Sequence, residues 1–172
     1  IILKNYVFSS LISIVLVLML HFDGADAATS TTDAATNKAV TFVADAQIDT
    51  AQSKFGGASA LFDGAGDYLS IPDNGDFNLS SGEWNLDFWI RGNWSGIGNE
   101  GIYFQLTDAN NYFSIHIVKD SNGYGVVLSL YSNSLEVVSL TTGTPTLRNT
   151  TWHHVEVSEL GDRYMISVDG DM

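Results

Sequence analysis

Residues 54–77 read KFGGASALFDGAGDYLSIPDNGDF. Two short apolar runs, residues 58–62 and 68–71, alternate with glycine-rich turns. Because glycine adopts backbone angles that other residues resist, each glycine cluster predicts a tight turn. The runs between the turns are too short for helices and predict β-strands. Aspartates crowd the same turns, at Asp63, Asp67, Asp73 and Asp76.

Period-two alternation predicts further strands downstream. In residues 83–91, apolar and polar side chains alternate, which is the pattern of a strand with one face on a core. The same pattern places Tyr103 and Gln105 on an outer face and predicts these inward residues: Trp84, Leu86, Phe88, Ile90, Ile102, Phe104, Leu106, Phe113, Ile115, Ile117, Val126, Leu128, Leu130, Val155 and Val157. Many short strands joined by Gly, Asn and Asp turns predict an all-β fold, an antiparallel two-sheet sandwich.

Four segments together resemble the laminin-G-like (concanavalin A-like lectin/glucanase) jelly-roll domains of bacterial or phage type. They are the glycine-rich stretch, LHFDG at 20–24, WNLDFWIR at 84–91, and TWHHVEV at 151–157 with VDG at 168–170. The resemblance covers about residues 15–170 and implies a two-sheet jelly roll. In that family, further strands follow the Val-Asp-Gly hairpin. We therefore expect a C-terminally truncated fragment of a longer protein.

The domain organisation follows from this resemblance: residues 15–172 form the jelly-roll domain and residues 1–14 an apolar N-terminal lead. Two interpretations of the apolar residues 6–20 stay open. Lys4, the apolar run and Ala25-Asp26-Ala27 fit a secretory signal with its cleavage site. Alternatively, residues 15–22 are the first strand, which the family match at 20–24 favours.

Composition limits the partners. Lys and Arg number 7 against 20 Asp and Glu, so the formal net charge is −13. This charge repels phosphates and anionic lipids, and we expect no nucleic-acid partner. No membrane span is expected, because the apolar run is only marginally long enough. With no cysteine, the chain has no disulfide framework and no thiol nucleophile. The resemblance implies an extracellular, cell-surface or virion location beside other domains of a parent protein.

The strand alternation predicts a ligand-binding face. Aromatic rings stack on sugar C–H faces, and carboxylates and amides bind hydroxyls, so a concave sheet of this composition suits a glycan. The competing interpretation is an ordinary solvent face, since Tyr and Trp favour strands anyway. The predicted face comprises Asp87, Trp89, Arg91, Tyr103, Gln105, Tyr112, His116, Tyr131, His154 and Glu156.

A structural calcium ion is the expected cofactor. Calcium takes six to eight oxygen ligands, carboxylates and carbonyls among them. The resemblance implies a site near Asp23 and Asp26, with carbonyls of residues 56–59 assisting. The competing interpretation is that Asp and Asn simply form turns.

The function expected from the resemblance is a non-catalytic carbohydrate-binding or adhesion module, whose partner is a glycan or host-surface polysaccharide. One alternative is a purely structural decoration or spacer domain of a phage tail or capsid. A second is a glycoside hydrolase of the glucanase superfold. Glucanases place two carboxylates on one strand, and no such motif occurs here, so we do not expect an enzyme. Glu156 and Glu159 fall on opposite faces of their strand and cannot form that pair.

Overall fold

The computed structural model describes residues 2–7, 13–79, 82–94, 100–143 and 146–172, with side chains from residue 15 onward. These residues form antiparallel β-sheets and one short 3-10 helix, which confirms the predicted all-β class. The arrangement is compatible with a sandwich. The chain divides into two compact units, residues 1–86 and 87–172.

The first unit consists of short antiparallel strand pairs. Strands β1 (Ile2–Val7) and β2 (Ser13–Met19) pair with each other, as do β3 (Thr41–Val43) with β6 (Tyr68–Ser70) and β4 (Gln47–Asp49) with β5 (Ser59–Leu61). Strand β2 overlaps residues 15–19 of the predicted first strand, and β1 lies inside the predicted N-terminal lead. The buried apolar residues of this unit are Val17, Leu18, Leu20, Ala46, Ile48, Ala58, Trp84 and Leu86.

The glycine-rich stretch forms the predicted turns. Gly56, Gly64 and Gly66 have φ values of +63°, +86° and +92°, which are the angles that glycine tolerates best. Between β5 and β6, the carboxylate of Asp67 accepts backbone hydrogen bonds of 2.8 Å from both Asp45 and Asp63. The aspartates of the motif therefore fasten the turn to a neighbouring loop.

A second organising carboxylate, Asp33, lies in the Ala- and Thr-rich loop after β2. Its side chain is fully buried and accepts hydrogen bonds of 2.7 to 3.2 Å from the N–H groups of Met19, Ala35, Thr36 and Lys38 and from the Thr36 hydroxyl. Burial acts to raise the pKa of Asp33, but these hydrogen bonds outweigh it and hold the pKa well below its usual range. The loop is thus built around one charged residue.

The second unit contains the longer strands. Strands β8 (Glu100–Asp108), β9 (Asn111–Lys119), β10 (Tyr124–Ser132) and β11 (Leu135–Thr141) form an antiparallel sheet in the order β11-β10-β9-β8. A separate sheet contains β7 (Glu83–Ile90), β12 (His153–Glu159) and β13 (Tyr164–Val168) in the order β13-β12-β7. The core contains Phe88, Phe113, Ile115, Ile117, Val126, Leu128, Val155, Val157, Ile166 and Val168.

The face predicted for β8 was wrong. A register shift between Gly101 and Tyr103 makes Ile102 an extra residue, and Tyr103 then pairs with the buried Ile115. One extra residue reverses every later side chain, so Tyr103 and Gln105 lie on the core face. Phe104 and Leu106, predicted inward, are 59% and 57% exposed on the outer face.

The two parts of one segment from the sequence analysis, TWHHVEV at 151–157 and VDG at 168–170, meet at one contact. Nε2 of His153 accepts a hydrogen bond from the Arg148 N–H at 2.8 Å, so the ring proton sits on Nδ1 and is donated to Asp169 at 2.7 Å. The other oxygen of Asp169 accepts from the N–H of His154. Burial acts to raise the pKa of Asp169, but these hydrogen bonds lower it overall. His153 is buried.

Candidate functional site

The ten residues predicted as one binding face lie in three places. Tyr112, His116 and Tyr131 share the outer face of the β8–β11 sheet. Tyr103 and Gln105 lie on the core face of that sheet, where the Tyr103 hydroxyl donates to Gln105 at 2.9 Å and burial raises the pKa of Tyr103 to about 12. The others belong to β7 and β12 or follow β7: Asp87, Trp89, Arg91, His154 and Glu156. The assumption of a single concave sheet was therefore wrong.

The β7 and β12 residues form a compact cluster. Nε2 of His154 lies 3.2 Å from a carboxylate oxygen of Asp87, and its ring lies 5.1 Å from that of Trp89. Arg91 donates from Nε to the carbonyl of Thr150 at 3.0 Å. The side chains of this cluster therefore contact one another and the adjacent loop.

The outer face of the β8–β11 sheet carries a line of side chains that crosses all four strands. We name Phe104, Tyr112 and Tyr131, with Glu136 at the far end, the aromatic row. Phe104 is the register partner of Ser114 and contacts Tyr112 diagonally. Tyr131 is paired with Tyr112 on one side and with Glu136 on the other. Neighbouring strands are about 4.8 Å apart, so a row of four strands spans about 14 Å. That length suits a short chain of sugars better than a single ring.

The rings of the aromatic row are not equally open. Tyr112 and Tyr131 stack with centroids 4.4 Å apart and planes 16° apart, so each covers one face of the other. Phe104 lies 5.2 Å from Tyr112 with its plane tilted by 34°. Because Phe104 is 59% exposed, it offers the most accessible ring of the row.

A line of hydroxyl groups runs beside the aromatic row. Ser129 on β10 pairs with Ser114 on β9 and with Ser139 on β11, and we name these three residues the serine row. Ser129 is only 3% exposed and donates its hydroxyl hydrogen bond to Glu136 at 2.8 Å. Ser114 is half-buried and Ser139 is exposed.

The charge of Glu136 affects the pKa values of two other side chains on this face. Burial, then the charge of Glu136 and the neighbouring Tyr112, raise the pKa of Tyr131. Burial lowers the pKa of His116, and the charge of Glu136 opposes this shift only in part. His116 is therefore neutral at pH 7, and Glu136 contributes the negative charge.

Sequence reasoning missed Phe104, Glu136 and the serine row as site residues. The serine row was missed because a serine on a strand carries no functional signal by itself. Phe104 was missed because a bulge is invisible in the alternation pattern. Glu136 was missed because sheet order places it beside Tyr131, and sequence spacing does not.

The predicted calcium ligands both lie in the first unit. The carboxylate of Asp23 rests against Gly56, so closely that a side chain there would collide with it. Asp26 accepts two hydrogen bonds of 3.1 Å from the N–H and hydroxyl of Thr50. Among the described residues, no three His, Cys, Asp or Glu side chains are grouped closely enough to hold a metal ion. Calcium binding stays a prediction, with Asp23 and the Gly56 turn as its best-placed donors.

Among the residues for which the structure is described, there is no helix long and apolar enough to cross a membrane. Comparison with protein-family models, with curated proteins and with solved structures finds no match to this chain.

Proposed function

We propose that this chain is a non-catalytic glycan-binding or adhesion module of the laminin-G-like type, and that the outer face of the β8–β11 sheet binds the glycan. The observation that carries the proposal is the pairing of an aromatic row with a serine row. A pyranose presents an apolar C–H face, which stacks on an aromatic ring. Its rim of hydroxyls forms hydrogen bonds with polar side chains.

The exposed ring of Phe104 supports stacking with one sugar. Ser114 and Ser139 supply hydroxyl groups that both donate and accept hydrogen bonds. Glu136 is fixed by Ser129, so a ligand meets a carboxylate with a defined position. Pre-positioned groups cost less entropy on binding, which supports recognition by a rigid sheet.

The experiment is a retention assay on immobilised chitin, chitosan, laminarin and cellulose, with the wild type and two variants. Phe104→Ala removes the exposed ring of the proposed site. Trp89→Ala is the matched control, because it removes an aromatic ring from the other sheet of the same unit. We expect the wild type and Trp89→Ala to be retained on the same polysaccharide and Phe104→Ala to be released.

If Phe104→Ala is retained and Trp89→Ala is released, the glycan-binding site lies at the β7 and β12 cluster instead. Absence of retention on every polysaccharide would favour the structural spacer role. Circular dichroism spectra of both variants show whether the β-sheet structure is intact.

A further inference from the structure

The charge distribution of the outer face favours one class of glycan. At the outer-face positions of the β8–β11 sheet that the structure describes, there is no lysine or arginine. Glu136 forms no ion pair with any described basic side chain. Glu136 is an exposed residue, and its carboxylate accepts a hydrogen bond from Ser129 at Oε1 and is also hydrogen-bonded to Tyr131.

Aromatic rings add to this preference. A cation over a ring face is attracted to the negative potential of the π-system. Phe104 and the stacked pair of Tyr112 and Tyr131 lie in the same row as Glu136. A positively charged group on the ligand that binds at Glu136 therefore lies beside the ring of Tyr131.

We propose that the site prefers a glycan bearing free amines, such as a deacetylated amino sugar, over neutral or acidic glycans. This inference rests on the proposed function and names its ligand class. The ammonium of one sugar donates hydrogen bonds to Glu136, while another sugar of the same chain stacks on Phe104, about three strand spacings away. The formal net charge of −13 attracts such a polycation and repels an anionic glycan.

The test compares two ligands with the same backbone. Isothermal titration calorimetry measures binding of chitosan tetramer, which carries amines, and of tetra-N-acetylchitotetraose, in which the amines are acetylated. We expect the wild type to bind the amine form about tenfold or more tightly, since one cation–π contact with a charge-assisted hydrogen bond provides that factor.

Two variants distinguish a contact between the ligand and Glu136 from an effect of the net charge of the protein. Glu136→Gln keeps the size of the side chain and removes its charge, and we expect it to lose the preference while retaining the acetylated ligand. Asp162→Asn removes the same charge from an exposed position in the β12–β13 turn and is expected to keep the preference.

Equal affinity of the wild type for both tetramers would overturn the inference and leave the proposed function intact. If Asp162→Asn loses the preference for the amine-bearing tetramer as much as Glu136→Gln does, the inference is overturned. The preference would then come from the overall charge of the protein. An oligolysine peptide that binds as tightly as chitosan tetramer, and in a Glu136-dependent manner, would assign the site to protein amines instead. Binding of neither tetramer also overturns it, and the polysaccharide panel then decides whether any glycan is bound.

Discussion

The phenol rings of Tyr112 and Tyr131 stack across strands β9 and β10, with their centroids 4.4 Å apart and their planes 16° apart. Each ring therefore stabilises the sheet as well as lining the proposed site. Removing either one changes folding and binding together, which makes Phe104 the cleaner probe of the site.

The stacked pair gives a prediction for stability. A double-mutant cycle on Tyr112→Ala and Tyr131→Ala should yield a coupling free energy of about 0.5–1.5 kcal/mol, as for other aromatic pairs. The parallel cycle on Tyr131→Ala and Trp89→Ala should yield a value near zero, because those rings belong to different sheets. Urea unfolding of the single and double variants measures both couplings. Equal coupling in the two cycles would argue against the described stacking.

Asp33 should be the most sensitive carboxylate of the first unit. Asp33→Asn replaces a charged acceptor of several hydrogen bonds by an amide, and we expect a loss of about 2–4 kcal/mol in the free energy of unfolding. Asp73→Asn is the matched control, because Asp73 is exposed, and it should change stability by less than about 0.5 kcal/mol. Similar values for the two variants would show that Asp33 does not organise its loop.

The same residue determines part of the pH dependence. The pKa of Asp33 is lower in the folded state than in the unfolded chain, where an aspartate titrates near its ordinary value of about 3.9. The stabilisation is therefore fully present above that value and is lost as pH falls toward the folded pKa. Unfolding free energies measured from neutral pH down to strong acid should decrease in this range for the wild type. The decrease should be shallower for Asp33→Asn, and an unchanged slope would contradict the assignment.

The glycines in the turns of residues 54–77 allow the backbone conformation of these turns to be tested. Gly66 has a φ of +92°, so Gly66→Ala should destabilise the protein by about 1–2 kcal/mol. Gly75→Ala is the control, since a methyl group there meets nothing within 4 Å and Gly75 is not among the positive-φ residues. Thermal unfolding of both variants measures the difference. A Gly66→Ala variant as stable as the control would show a different turn.

Calcium binding can be tested by thermal unfolding with added calcium or with a chelator. If Asp23 and the Gly56 turn supply ligands, calcium raises the melting temperature of the wild type by mass action. Asp23→Asn should abolish that increase, whereas Asp73→Asn should retain it. An identical melting temperature with calcium and with chelator would reject the predicted site.

Sequence alone predicted most strands, because alternating apolar residues report which face is buried. The buried faces of β9 and β12 agree with the alternation, as do the glycine turns around β5 and β6. Strand β10 is buried on both faces, because Val127 and Ser129, predicted outward, are buried as well. The prediction failed at β8, where Ile102 forms a bulge and reverses the pattern. A single extra residue leaves no mark in composition, so its effect appears only in the pairing register.

The candidate site was less predictable than the strands, because strand order is a long-range property. Trp89 and Tyr112 have similar local patterns, yet they belong to different sheets. Glu136 meets Tyr131 only because β11 pairs with β10 through a second register shift, between Leu130 and Tyr131. Asp33 was also missed, since an aspartate in an Ala- and Thr-rich segment has the composition of an ordinary surface loop.

The most direct test of the glycan-binding surface is an NMR titration of the isotope-labelled protein with chitosan tetramer and, separately, with its acetylated form. The account predicts that at least one ligand shifts the backbone amide signals of Phe104, Ser114 and Ser139, while those of Trp89 and His154 stay in place. Shifts confined to Trp89 and His154, or no shifts with either ligand, would contradict it.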